Sequence, residues 1–423
     1  TAHGLTVGIC KVRIRNKKRE HHFPDTDVVI LNYEQVERHR DKIDAIHWDL
    51  MGVDESHYLK VGSTKRTQQI LGGGKKGKRV KPIKAKRRIF MSGTPATIKP
   101  IDMWTMVKAC DPKGLGRNYI SYVYRYCDAY EGGFGLVTDG ASNLGEFQVK
   151  ARAAFMIRRD KKTVLKELPP KTRQIVELPS EGLSTLIKKE LSLVEETMLK
   201  YETEILGAPI LSEVEDFDMS SLIEVMEQRW GHLSGLNFEE RAAVLTPGQV
   251  EAFEEISTAR KDLAIAMVPM VKKYVDDILQ SGEKVVLFCY HTDVAAELKR
   301  HYNQCAFVTG KVPQDRRQDE VDRFQNDPDC NIFIGNITAA GVGLTLTASN
   351  IVVFSELPWI PSEIEQAEDR TWRIGQDNAV TSIWLVVEGS LGAMMAQRLI
   401  KTQIVLSRML DVPAHLQEAS NDT

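Results

Sequence analysis

Seven short apolar runs, each closed off by polar or charged residues, limit what this chain can fold into. Three lie early, at residues 28–31, 48–53 and 89–91, and four lie late, at 284–289, 331–335, 351–354 and 382–387. Runs this short, rich in Val and Ile, suit strands buried on both faces of a parallel sheet. Amphipathic stretches such as residues 292–302 and 314–325 separate the late ones. Strands alternating with helices in two separate groups predict an α/β fold with two doubly wound lobes. Between the groups, residues 180–275 carry no strand signal. Leu183, Leu186, Ile187, Leu191 and Val194 recur there at helical spacing, and Pro169, Pro170 and Pro179 punctuate the entry. A helical insertion joining the two lobes is expected.

Charge is segregated along the chain. The total of 56 Lys/Arg against 58 Asp/Glu is nearly balanced. Residues 1–100, however, hold 22 basic against 10 acidic side chains, and residues 195–255 hold 15 acidic against 3 basic. Local fields therefore say more about partners than the net charge does. The stretch 60–88 has 12 Lys/Arg and no acid, and it contains GGGKKGKR. Gly72, Gly77 and Lys78 satisfy most of a G-x-x-x-x-G-K-[ST] phosphate loop. Arg79 stands where a hydroxyl must ligate magnesium, no apolar strand leads in, and no amphipathic helix leads out. A basic loop, solvated or touching nucleic acid, is the better reading.

The six cysteines show no C-x-x-C spacing, which argues against a structural zinc site and for a reduced, intracellular protein. No apolar run approaches the ~20 residues of a membrane span, and the start lacks the core of a signal peptide. The first residue is Thr1, so a processed chain or a fragment is expected.

Three segments carry candidate chemistry. Asp54 and Glu55 follow directly on the 48–53 run, and a strand end is where α/β sheets place ligands. One carboxylate there could hold magnesium through water while the next takes a proton from an attacking water; a solvated turn explains the pair equally. Ser92-Gly93-Thr94-Pro95 follows the next early run. Its hydroxyls could bond a neighbouring group and relay a movement, though Gly and Pro also make plain turns. In QAEDRTWRIGQ, Arg370 and Arg373 lie three apart and Gln366 four before Arg370, so on a helix they share a face. Two guanidiniums on one face can grip a triphosphate. The alternative is a surface helix salt-bridged through Glu365, Glu368 and Asp369. Gly341 and Gly343, in the loop after the 331–335 run, would let backbone approach a ligand closely.

Taken together, VDESH, MSGTPA, TAAGVGLTLT and QAEDRTWRIGQ resemble motifs II, III, V and VI of superfamily 2 motors. DESH and RIGQ resemble the Swi/Snf-type double-stranded DNA translocases. DESHYLK, STKRT, RYCDAY, SNLGEF and the stretch from IRRDKK to IVEL resemble their annealing-helicase (HARP-type) branch. The resemblance covers roughly residues 25–410, least well in the acidic middle. It implies two RecA-like parallel-sheet lobes joined by the helical insertion. Lobe one would be the incomplete remainder at 1–175, the insertion 176–275, lobe two 276–410 and a tail 411–423. It implies ATP and magnesium as ligands, DNA as partner with mainly backbone contacts, and no membrane.

By that resemblance, Asp54 would hold magnesium through water, Glu55 would be the general base, and Arg370 and Arg373 would reach the γ-phosphate. Gly341 and Gly343 would approach the nucleotide, and Gln366 would couple the lobes. Asn32, Ser92, Thr94, His291 and Thr338 would contact the DNA backbone or couple it to hydrolysis. Trp372 stands where relatives often carry His and would point away from the arginine face. The family's Walker A loop should precede the 28–31 run, and the chain as given begins too close to that run to hold it. A segment carrying it is expected upstream, and this chain alone is expected to hydrolyse ATP weakly or not at all. A non-hydrolysing DNA-binding or scaffold protein is the alternative.

Overall fold

The computed structural model describes residues 4–15, 18–75, 77–96, 99–132, 135–138, 140–159, 161–206, 247–340 and 343–410. The strands among them are Val7–Ile9 (β1), Lys11–Arg15 (β2), Lys18–His22 (β3), Val28–Ile30 (β4), Trp48–Val53 (β5), Ala85–Phe90 (β6), Tyr130–Gly132 (β7), Gly135–Val137 (β8), Lys171–Leu178 (β9), Val285–Cys289 (β10), Ala306–Val308 (β11), Ile332–Asn336 (β12), Ile351–Phe354 (β13) and Val380–Val387 (β14). The chain divides into two compact units. The first is drawn mainly from residues 1–95 and 102–119, the second from 96–101 and most of the chain after residue 119.

The second unit is built on a six-stranded sheet in the order β11-β12-β10-β13-β14-β9, and every pairing in it is parallel. All five residues of β10 and all five of β12 are buried. Because strand side chains alternate, Val285, Leu287 and Cys289 face one layer and Val286 and Phe288 the other. The first layer includes Leu263, Val268, Val271 and Val275 of helix Pro247–Gln280 and Val294 and Leu298 of helix Thr292–His301. The second includes Val321 and Phe324 of helix Gln314–Asn326, Ile364 of helix Pro361–Glu368, and Ala396 and Leu399 of helix Leu391–Leu410. A sheet covered on both faces explains the unbroken apolar runs of its central strands. Each fully buried Val, Leu or Phe contributes about 1.5–3 kcal/mol.

The edge strands differ from the central ones. β9 alternates (KTRQIVEL), pairs in parallel with β14 over its whole length, and has no second strand partner among the described residues. The domain boundary expected at residue 175 therefore falls inside a strand of the second unit. The chain joins that unit from Ile120 onward: Arg152 of helix Leu144–Ala154 donates to the Leu410 carbonyl at 2.8 Å. The expected helical middle is represented by helices Ser184–Leu206 and Pro247–Gln280, the second started by Pro247 at its first position. Most of the acidic stretch 195–255, and the tail 411–423, lie outside the described residues.

In the first unit β5 pairs in parallel with β6 and β1 with β4, while β2 and β3 form an antiparallel hairpin. A small core of Val36, Ile43, Val53, Leu59, Ile70, Ile83 and Met106 packs beside β5. The three early runs were expected as buried strands. Strands form at all three, but Val28, Ile30, Leu50, Ile89 and Met91 are exposed: among the described residues one face of each two-stranded pair is uncovered.

The glycine-rich run lies in the loop between helix Lys65–Leu71 and β6, the reverse of the strand–loop–helix order of a phosphate loop. Gly73 and Val80 exchange backbone hydrogen bonds of 3.0 and 2.7 Å. Gly72 and Gly74 have φ of +80° and +108°, and a Cβ on either would come within 2.8 Å of the Pro82 nitrogen or 2.7 Å of the Lys78 oxygen. Chain closure accounts for these glycines. No described helix is long and apolar enough to cross a membrane.

Candidate functional site

The first unit gathers one group of the expected residues. Parallel pairing sets Val53 beside Phe90, so the segments leaving β5 and β6 emerge together. Two backbone bonds of 2.8 Å pin them, Met91 N–H to the Val53 carbonyl and Ser56 N–H to the Met91 carbonyl. Glu55 has φ +46°, a left-handed conformation that costs a non-glycine residue energy. That turn leads into the short 3₁₀ helix Ser56–Leu59. The buried His57 Nδ1 lies 3.1 Å from Glu55 Oε2 and 3.0 Å from Ser92 Oγ, and Ser92 Oγ also accepts the Thr94 N–H at 3.1 Å. Ser92 thus reaches the acid pair through an imidazole rather than directly. Asp54 is exposed, and its Oδ1 accepts the Glu55 N–H at 2.9 Å.

Asn32 is exposed and precedes the one-turn helix Tyr33–Val36. Its neighbour Tyr33 donates its hydroxyl to the Asp54 carbonyl at 2.5 Å. Burial pushes the Tyr33 phenol far above its usual pKa.

The second unit gathers another group at the carboxyl edge of its sheet. Chain order reverses at β10, which pairs with β12 on one side and β13 on the other, and such a switch point is where α/β sheets bind ligands. His291 lies there, with Nδ1 bonded to Glu356 Oε1, while Glu356 Oε2 accepts the Tyr290 and His291 N–H groups, each at 3.1 Å. Asn336 donates to the Tyr290 carbonyl at 2.6 Å and accepts the N–H of the exposed Thr338 at 3.1 Å. Gly343 has φ +78° with open space where a Cβ would be, and Gly341 lies outside the described residues.

The arginines do not share a helix, contrary to expectation. Helix Pro361–Glu368 stops before them, because Thr371 turns back to bond the Glu368 carbonyl with both its hydroxyl (2.9 Å) and its N–H (3.1 Å). Arg370 and Arg373 occupy the turn that follows. Arg370 donates Nε to the Gln366 carbonyl at 3.0 Å, and its own carbonyl accepts the Leu346 N–H at 2.8 Å. Arg373 donates to the Leu344 carbonyl at 3.1 Å. The turn is thus tied to the chain just after Gly343. Trp372 is buried and donates to the Pro169 carbonyl at 2.8 Å, so its ring is not beside the guanidiniums.

The acids around the arginines are engaged from β9. Glu368 is fully buried; Arg173 donates to its Oε1 at 2.7 Å and Oε2 at 2.6 Å, and Lys171 to Oε2 at 2.8 Å. Burial alone would raise its pKa. The Lys171 charge and the Arg173 hydrogen bond override that and hold it down to about 2. Glu365, with weaker pairing, is raised by burial.

The SNF2-related domain family matches residues 2–229, more than half of the chain, and the helicase conserved C-terminal domain matches 270–375. The chain belongs to the SNF2-related family. The SNF2-related relatives include the mouse protein named DNA annealing helicase and endonuclease ZRANB3, 32% identical over 430 residues, covering 97% of this chain and 35% of the relative. The human protein of that name is 32% identical over 406 residues, covering 90% and 32%. A Drosophila melanogaster protein named SWI/SNF-related matrix-associated actin-dependent regulator of chromatin subfamily A-like protein 1 is 29% identical over 404 residues, covering 94% and 46%. The chain spans about a third to a half of the length of these relatives.

Sequence reasoning named Glu368 only as a surface salt-bridge partner and passed over Glu356, Lys171 and Arg173. Glu356 carried a usable signal, an acid two residues past a buried strand, close to the signal that singled out Asp54. Lys171 and Arg173 are nearly 200 residues from Glu368 and gave none.

Proposed function

We propose that this chain is the motor part of an ATP-dependent DNA translocase that rewinds or remodels duplex or forked DNA inside the cell. The first unit is part of one RecA-like lobe and the second unit holds the other. The observation that supports this best is the triangle of Glu55, His57 and Ser92, which ties a candidate base to the SGT segment of the next strand.

Glu55 takes the proton from the water that attacks the γ-phosphate. Asp54 fits hydrated magnesium: it is an exposed carboxylate with one oxygen committed to a backbone N–H, and one carboxylate plus substrate phosphates is a donor set magnesium takes. Magnesium, when bound, neutralises charge on the phosphate oxygens. Arg370 and Arg373 stabilise the charge that develops on the transferred phosphoryl group. Gly343 approaches the nucleotide, and Gln366 serves to couple hydrolysis to movement. Asn32, Thr94, His291 and Thr338 contact the DNA backbone or couple it to hydrolysis. No G-x-x-x-x-G-K-[ST] occurs in the 423 residues, and this chain by itself turns over ATP weakly or not at all.

DNA-stimulated ATP hydrolysis by the full-length gene product tests the reading. Glu55→Gln lowers turnover by at least ~10²-fold while ATP-analogue binding persists. Wild-type turnover in that variant would overturn the assignment.

A further inference from the structure

Tyr33 lies in the segment Asn32-Tyr33-Glu34 just after β4, and its side chain reaches the acid pair from behind. Its hydroxyl lies 2.5 Å from the Asp54 carbonyl oxygen and 3.4 Å from the Glu55 carbonyl oxygen. Two successive carbonyls thus point at one donor, across the residue that has the left-handed φ. On the other side, the Met91 carbonyl accepts the Ser56 N–H. The acid-pair backbone is therefore held from two directions, by β6 and by Tyr33. The Tyr33 ring is fixed in turn: it meets Tyr58 edge-on with centroids 6.2 Å apart, and the Arg66 guanidinium lies over both rings, at 5.9 and 5.3 Å. Tyr33 also follows directly on Asn32, which is exposed.

We propose that Tyr33 is a positioning residue, whose hydroxyl sets the orientation of the Asp54–Glu55 peptide and passes to it any displacement that a nucleic-acid backbone imposes at Asn32. The inference rests on the reading of Glu55 as the base. A misplacement of about 1 Å in a reacting group can cost ~10²-fold in rate. Removing the hydroxyl therefore lowers kcat more than it lowers binding.

The test compares wild type, Tyr33→Phe and Glu55→Gln in the full-length gene product, by steady-state ATP hydrolysis with and without duplex DNA, by DNA affinity and by thermal melting. Tyr33→Phe keeps the ring against Tyr58 and Arg66. The expected result is a DNA-stimulated kcat lower by about tenfold or more, with KM for ATP, DNA affinity and melting midpoint close to wild type. If Glu55→Gln abolishes turnover while Tyr33→Phe matches wild type, this inference fails and the reading of the acid pair stands. If Glu55→Gln matches wild type, both fail. A melting midpoint that falls together with kcat and DNA affinity would make Tyr33 a structural residue only and would also overturn the inference.

Discussion

Replacing Glu368 by Gln should destabilise the second unit by about 3 kcal/mol. Glu368 is the last residue of its helix, an unfavourable end for an acid, and its side chain is fully buried. Three hydrogen bonds from Lys171 and Arg173 hold it ionised. The amide keeps the shape and removes the charge, which leaves two cations facing a neutral group. Breaking a buried pair in this way costs about 3–5 kcal/mol, and the partial exposure of Lys171 and Arg173 places this case at the lower end. The lowered carboxyl pKa points the same way. A fall from the usual glutamate value of 4.5 to about 2 corresponds to about 3 kcal/mol at ~1.36 kcal/mol per unit. Because the folded pKa is the lower one, the stabilisation is present above about pH 4.5 and is lost as the pH falls towards 2. Urea titrations read by hydrogen exchange on peptides covering β9 and β14 would measure it in the second unit alone. The variant should be less stable at neutral pH and should lack this component of the acid loss. Replacing Lys171, Arg173 and Glu368 together by Met should restore most of the stability. A loss under 1 kcal/mol in Glu368→Gln, or an unchanged acid profile, would refute the argument.

Other outcomes follow from the same geometry. Gly74→Ala should destabilise the first unit by 1 kcal/mol or more, on the order expected for forcing a side chain to positive φ, and a melting shift checks it. Arg373→Ala should lower the ATP turnover of the full-length protein by ~10³-fold or more with a much smaller effect on DNA affinity, as measured in steady state and by fluorescence anisotropy. DNA affinity should fall linearly in log–log form as salt rises, as measured in an anisotropy series, if binding rests on phosphate contacts as proposed.

The sequence revealed strands best where both faces of the sheet are covered. β10, β12, β13 and β14 are continuous apolar runs for that reason. β9 and β11 sit at the sheet's edges; β9 carries charges at alternate positions and β11 is three residues long, so neither gave a run to find. The early runs marked strands correctly, but their burial could not be read, since it depends on what packs against each pair. The acid pair and the SGT segment were legible as strand-end residues, and their link through His57 came only from the parallel register of β5 and β6. The arginines were legible as a pair but not as a turn. Thr371, able to bond back to a carbonyl, is the local signal that the helix ends early.

A double-mutant cycle tests most directly whether the acid pair and the arginines serve a single nucleotide. Single-turnover ATP hydrolysis by the full-length protein on saturating duplex DNA would be compared for wild type, Glu55→Gln, Arg373→Ala and the double variant. Groups that act on one transition state are strongly non-additive, so the double variant should be little slower than the slower single variant. Losses that multiply, or an Arg373→Ala protein as fast as wild type, would contradict the account.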